Sequence, residues 1–180
     1  MDMKTVRKIR AIFFDSGDTI VDEATEIKDA DQVTQEASLI PGAAETVRAL
    51  KALGYPLALV ADGPLGTFTN VLGYYGLFDL FDAYAISGQI GVEKPDARMF
   101  QWALGRLHIP PEGYGQVLMV GNNLERDIKG ANLLGLVSVW LDWAPRRSKI
   151  PADESERPCY TIKNPLELLD LVASLEARLS

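Results

Sequence analysis

Five short apolar runs recur along the chain, and a stretch with helical spacing follows each of them. The runs are Arg10-Ala11-Ile12-Phe13-Phe14, Leu57-Ala58-Leu59-Val60, Ala83-Tyr84-Ala85-Ile86, Val117-Leu118-Met119-Val120 and Val137-Ser138-Val139-Trp140-Leu141. Helical patterns are expected over Pro41 to Leu53, Gly66 to Tyr75, Ala97 to Leu107, Leu124 to Leu134 and Pro165 to Leu179. Proline at the start and Gly54, Gly76 or Gly135 at the stop punctuate them as helix ends require. Strands that are apolar almost throughout are buried on both faces. Alternated with helices, they predict βαβ units and a parallel sheet covered on both sides. The expected architecture is a three-layer α/β/α Rossmann-like domain with a central sheet of five or six parallel strands. A chain of 180 residues suits one such core, residues 1–180.

In sheets of this kind ligands bind beyond the carboxyl ends of the strands. The residues found there are Asp15-Ser16-Gly17-Asp18-Thr19, Ala61-Asp62-Gly63, Ser87-Gly88 and Gly121-Asn122-Asn123. Two more pieces complete a constellation: Lys94-Pro95-Asp96 before a helix, and Glu125-Arg126-Asp127 at the start of another. A carboxylate nucleophile, a lysine beside it and a second acidic group suit phosphoryl transfer. A phosphate dianion repels an attacking carboxylate, and Mg²⁺ with a lysine ammonium offsets that repulsion. Asp15 and Lys94 sit beside glycine and proline turns and make poor core residues. Asp18 is expected to hydrogen-bond backbone in its own turn, and Asp62 to serve as a turn and helix-cap residue. Arg126 reads as part of a solvated helix face near the rim of the site.

These four pieces, in this order and on these elements, resemble the haloacid dehalogenase (HAD) superfamily of aspartate-nucleophile hydrolases, from Ile12 to about Leu141. Ile40-Pro41-Gly42, Gly76-Leu77-Phe78-Asp79, Gly91-Val92-Glu93-Lys94-Pro95-Asp96 and Asp127-Ile128-Lys129-Gly130-Ala131 fit the same pattern. The resemblance implies Asp15 as nucleophile and Lys94 as the group that offsets its charge. It places Thr19, Ala61, Asp62, Gly63 and Lys94 around the phosphate, with the backbone N–H groups of Asp62 and Gly63 as donors. It assigns Mg²⁺ to Asp15, the carbonyl of Gly17, Asn122 and Asp127. Three positions depart from the family's phosphatases. Gly17 stands where an aspartate acts as general acid and base, a function that contributes roughly 10²–10⁴-fold in rate. Ala61 replaces a hydroxyl donor. Asn122 replaces an aspartate, so the metal is expected to bind more weakly.

Neither usual insertion place has room for a cap domain. Val21 to Ile40 holds only a short flap (about residues 20–40) with an acidic Asp22–Asp29 stretch, and Gly63 to Glu93 holds only a helix, a strand and loops. The resemblance implies that capless members act on large substrates or use a second copy as the lid. Three readings follow. One is a Mg²⁺-dependent phosphatase acting on phosphate monoesters of a small molecule or a protein. The alternative is a catalytically impaired relative that retains phosphate or metal binding. The last is a metal-free dehalogenase-like hydrolase, for which the enclosed apolar pocket is missing.

Charge and cysteine content narrow the field further. A formal net charge of -7 and an acidic flap disfavour nucleic acid and anionic membrane surfaces. Arg146-Arg147 and Lys149 form a small local basic cluster. With one cysteine, Cys159, no intramolecular disulfide exists. Cys159 precedes Tyr160-Thr161-Ile162 and is expected in a core strand; His108 is expected at a helix end, structural or exposed. Together they exclude Cys-His catalysis and His/Cys zinc sites. The N-terminal apolar run is too short for a signal peptide and no run spans a bilayer, so a soluble, cytoplasmic protein is expected.

Overall fold

The computed structural model describes residues 8–177. Its main sheet has six parallel strands in the order β5-β4-β1-β6-β7-β8. These are β1 (Ala11–Phe14), β4 (Leu57–Ala61), β5 (Ala83–Ile86), β6 (Val117–Gly121), β7 (Val137–Leu141) and β8 (Tyr160–Ile162). A small antiparallel hairpin, β2 (Ile27–Lys28) and β3 (Thr34–Glu36), lies between β1 and α1. The helices are α1 (Ala43–Ala52), α2 (Leu65–Tyr74), the single turn α3 (Ser87–Ile90), α4 (Ala97–Arg106), α5 (Lys129–Leu134) and α6 (Glu167–Ala177). The predicted extension of α6 to Leu179 reaches beyond the described residues.

Strand alternation produces the two outer layers. Ile12, Phe14, Leu57, Leu59, Leu118 and Val120 face one way and pack with Val47 and Leu50 of α1, Phe68 and Leu72 of α2, and Leu168 and Val172 of α6. Ala11, Phe13, Ala58, Val60, Val117 and Met119 face the other way, against Met99, Phe100, Ala103 and Leu104 of α4 and Ala131 of α5. A side-chain period of two places successive residues on opposite faces. Both faces here are covered, so apolar residues occupy both phases of the strand. The sixth strand is a short edge strand, and Cys159 lies one residue before it. Cys159 is exposed rather than in the core, because β8 starts only at Tyr160. His108 is exposed in a left-handed turn after α4.

Between β1 and β4 the chain does not form a free flap. Thr34 N–H donates to Thr67 Oγ1 at 3.0 Å, Asn70 Nδ2 donates to Thr34 O at 3.1 Å and Tyr75 Oη donates to Ala37 O at 3.0 Å. The hairpin is thus docked on α2, with Thr34 buried. Its base is closed by Asp22 N–H to Ser38 O and Ile40 N–H to Ile20 O, both at 2.9 Å. The helix expected over Leu124 to Leu134 divides in two. Leu124–Ile128 is a π-helical turn, capped by Asn123 Oδ1 on Glu125 N–H and Arg126 N–H, and α5 follows. No helix among the described residues is long and apolar enough to cross a membrane.

The far end of the sheet is tied by one carboxylate. Glu176 of α6 accepts from Lys8 N–H, Ile9 N–H and Tyr55 Oη at 3.0–3.1 Å. Removing it takes this acceptor from two part-buried backbone N–H groups and from the Tyr55 hydroxyl. Glu176→Ala is therefore expected to lower stability by about 2 kcal/mol in urea unfolding while leaving the strand-end loops unchanged.

Candidate active site

β1 lies at the centre of the sheet between β4 and β6, so the loops after these three strands converge. Asp15 follows β1 directly, and its N–H donates to Val120 O at 2.9 Å. Its Oδ1 accepts from Lys94 Nζ at 2.7 Å, and its Oδ2 faces the hydroxyl of Thr19 at 3.5 Å. Lys94 is only 4% exposed. Its ammonium also donates to Val60 O at 2.9 Å and to Asp127 Oδ1 at 2.7 Å. An ammonium has three donors, and all three of these are engaged.

Asp127 is fixed in turn. Its Oδ2 accepts Asn123 N–H at 3.0 Å, and the π-helical turn carries it back under β6. π turns inside helices are frequent at functional sites. Gly121 is required there, since a Cβ at that position would overlap the Asp127 side chain. Asp62 does not cap α2. Its Oδ1 accepts Lys94 N–H at 3.0 Å and its Oδ2 accepts Arg126 Nη1 at 3.1 Å, so it pins the lysine loop. Arg126 also reaches Glu93; it stays exposed, as expected, and lines the rim of the site. Gly63 N–H donates to Ser87 Oγ at 2.8 Å, which removes it as a phosphate donor. Ala61 is buried at the end of β4 and presents no polar side chain. Asn122 is buried, its Nδ2 has no hydrogen-bond partner among the described residues, and its carbonyl accepts from Trp140 Nε1.

The resulting pocket, about 160 Å³, is lined by Asp15, Gly17, Asp62, Lys94, Asn122, Asn123, Arg126 and Asp127. Two further residues complete the lining, Glu23 and Arg147, and the sequence pattern did not single out either as a site residue. The basic pair Arg146-Arg147 was visible, but nothing in it showed that the loop after β7 reaches the loop after β1. Arg146 forms an ion pair with the fully buried Asp18, and Arg147 Nη2 donates to Glu23 Oε2 at 2.9 Å. Asp18 also accepts Glu23 N–H at 3.2 Å. Asp18 therefore does bind local backbone, but a distant arginine holds it as well.

Burial, then the neighbouring Asp127 carboxylate, pushes the Asp15 carboxyl up to about 7 against the pull of Lys94. Burial works against the Lys94 ammonium, but Asp127 and Asp15 outweigh it and hold the group above its ordinary range. Burial and Asp18 raise Glu23, opposed by Arg147. No cluster of three His, Cys, Asp or Glu side chains among the described residues is placed to hold a metal. A magnesium ion would depend on mixed oxygen donors. The Asp15 carboxylate, the Gly17 carbonyl and the carboxamide of Asn122 would suit a hard cation that keeps waters and takes the rest of its shell from substrate phosphate. Asp127, with both oxygens engaged, serves that set by holding Lys94.

A family model for haloacid dehalogenase-like hydrolases matches residues 10–135. The chain is 33% identical over 135 residues to the glyceraldehyde 3-phosphate phosphatase of Methanopyrus kandleri, covering 75% of this chain and 57% of that one. It is 34% identical over 120 residues to the phosphoserine phosphatase of Thermus thermophilus, covering 67% of this chain and 45% of that one. The chain thus spans about half the length of the curated relatives it matches. Among solved structures, magnesium-bound YfnB of Bacillus subtilis is 30% identical and superposes with a TM-score of 0.64, over 75% of this chain and 56% of that one.

Two carboxylates sharing one buried ammonium imply a conflict between function and stability. A carboxyl raised from 3.8 to about 7 binds its proton more tightly in the folded chain, so stability falls as pH rises between those values. Asp15→Asn removes that loss. In the absence of metal it is expected to exceed the wild type by on the order of 2 kcal/mol at pH 8, with the gap closing below pH 4. Lys94→Met leaves both carboxylates buried and unpaired, and is expected to cost about 3–5 kcal/mol at pH 8. Denaturant titrations at the two pH values check both.

Proposed function

The chain belongs to the haloacid dehalogenase-like hydrolases, and from that premise we propose that it is a Mg²⁺-assisted phosphatase acting on small phosphate monoesters through an aspartate nucleophile. The observation that carries this reading is the placement of Asp15: a carboxylate at the end of the central strand that lines the pocket, with one oxygen on a buried lysine and the other facing the Thr19 hydroxyl at 3.5 Å. Asp15 attacks phosphorus in line and forms an aspartyl-phosphate, which water then hydrolyses. Lys94 offsets negative charge as the phosphoryl group approaches, and Asp127 with Val60 O keeps its ammonium from turning away. Thr19 steadies the turn that presents Asp15. Arg126 and Arg147 add positive charge at the rim. Asp15, the Gly17 carbonyl and Asn122 would hold the magnesium, which when bound neutralises phosphoryl charge and orients the group. The phosphatase activities of the two curated relatives support the reaction class, and the magnesium-bound relative supports the metal.

The pocket volume of about 160 Å³ suits a phosphoryl group with a small leaving group. Its lining is polar or glycine throughout, which speaks against the dehalogenase reading. The impaired-relative reading draws on Ala61 and on Gly63 N–H, which is turned to Ser87. Hydrolysis of an aryl phosphate with and without Mg²⁺ separates the two. Metal-stimulated turnover that drops at least about 10³-fold in Asp15→Asn is the expected outcome. Retained phosphate binding without turnover in the wild type would favour the impaired relative.

A further inference from the structure

We propose that Glu23, supplied by the segment before the hairpin, is the proton-transfer residue of this reaction: its Oε1 protonates the leaving group and later takes the proton of the attacking water. The inference rests on the phosphatase reading and assigns it a catalytic residue that the strand-end loops do not contain.

The first observation is one of space. Gly17 has no side chain, and the Glu23 carboxylate fills the place where one would project. A Cβ built on Gly17 would lie 2.8 Å from Glu23 Cδ, 3.0 Å from its Cγ and closer still to Oε1. Glu23 lines the pocket that holds Asp15 and Lys94, and also the adjoining one formed by Ser16, Gly17, Asp62 and Gly63.

The second observation comes from accounting for every other titratable group around these pockets. Lys94 donates to three acceptors. Asp127 accepts from Lys94 and Asn123 N–H, and Asp62 from Lys94 N–H and Arg126. Asp18 is bound by Arg146 and Glu23 N–H. Glu26 accepts from Thr34 Oγ1 and pairs with Lys28. Glu23 differs: Oε2 accepts from Arg147, while no described residue donates to Oε1. Apart from the nucleophile itself, it is the carboxylate lining these pockets that keeps an oxygen without a donor among the described residues.

The third observation is that Glu23 is held in place. It opens a 3₁₀ turn, Glu23–Thr25, capped by Asp22 on Ala24 N–H at 3.0 Å. Its own N–H is bound by Asp18, which Arg146 fixes from the loop after β7. A side chain anchored at one oxygen, and at its backbone, presents the other oxygen in a defined direction.

Asp15 forms an O–P bond while the bond from phosphorus to the leaving oxygen breaks. That oxygen keeps the electron pair and receives the Glu23 proton, so an alcohol departs. Water then attacks the aspartyl-phosphate phosphorus, its proton passes to the Glu23 carboxylate, and the P–O bond to Asp15 breaks. Phosphate leaves with both carboxyl groups restored to their starting state.

The test compares Glu23→Gln with wild type on alkyl and p-nitrophenyl phosphates. An alkoxide needs the proton and nitrophenolate does not. Glu23→Gln is expected to lose about 10²-fold or more on alkyl phosphates. On p-nitrophenyl phosphate it should show a burst of one nitrophenol per enzyme, followed by slow turnover, with phosphate trapped on Asp15. The burst also reports that the variant is folded. As a second arm, Gly17→Asp should lower activity in the wild type, where it collides with Glu23. In a Glu23→Ala background it should instead raise activity about tenfold or more. Equal losses on both substrates without a burst, or equal effects of Gly17→Asp in both backgrounds, would overturn the role of Glu23. A wild type with no Asp15-dependent turnover overturns the phosphatase reading, and the Glu23 proposal with it. Turnover that needs Asp15 but ignores Glu23 overturns the proposal alone.

Discussion

The ammonium of Lys94 is the interaction on which the site depends. It joins Asp15 after β1, the Val60 carbonyl at the end of β4 and Asp127 after β6, and so fastens three neighbouring strands at one point. Burying one cation with two carboxylates is costly to the fold. Much of the surrounding structure exists to keep it tolerable: Asp62 on the lysine backbone, Asn123 N–H on Asp127, and the π-helical turn that brings Asp127 within reach. Removing the lysine would leave two buried carboxylates that repel each other.

The fold was readable because its signal is local and repeated. Continuous apolar strands such as Ala11–Phe14 and Val117–Gly121 require cover on both faces, and the intervening helices supply it. The ends of elements were less readable. Cys159 looked like part of β8 because its neighbours are strand formers, but strand pairing sets the boundary at Tyr160. The π turn carries no signature in Leu124–Ile128, because it results from the reach demanded of Asp127.

The site was legible only in part, for a related reason. Asp15, Lys94 and Asp127 lie on strand ends and helix starts, where order along the chain reports position in space. Glu23, Arg146 and Arg147 lie on connecting segments, and their meeting depends on how the loop after β7 folds over the loop after β1. Arg146 and Asp18 are 128 residues apart in sequence. Periodicity holds no information about such a pair. Gly63 shows the converse case: it occupies a position expected for phosphate contact through its N–H, yet that N–H is engaged with Ser87.

A side chain at position 17 and the Glu23 carboxylate as placed claim the same volume, so the carboxylate must move if both are to fit. A motif written as letters at fixed spacing records which backbone carries a group. The reaction responds only to where the group's oxygen ends up. Chains of this kind whose motifs lack a carboxylate are better judged by whether another segment delivers one to the same volume.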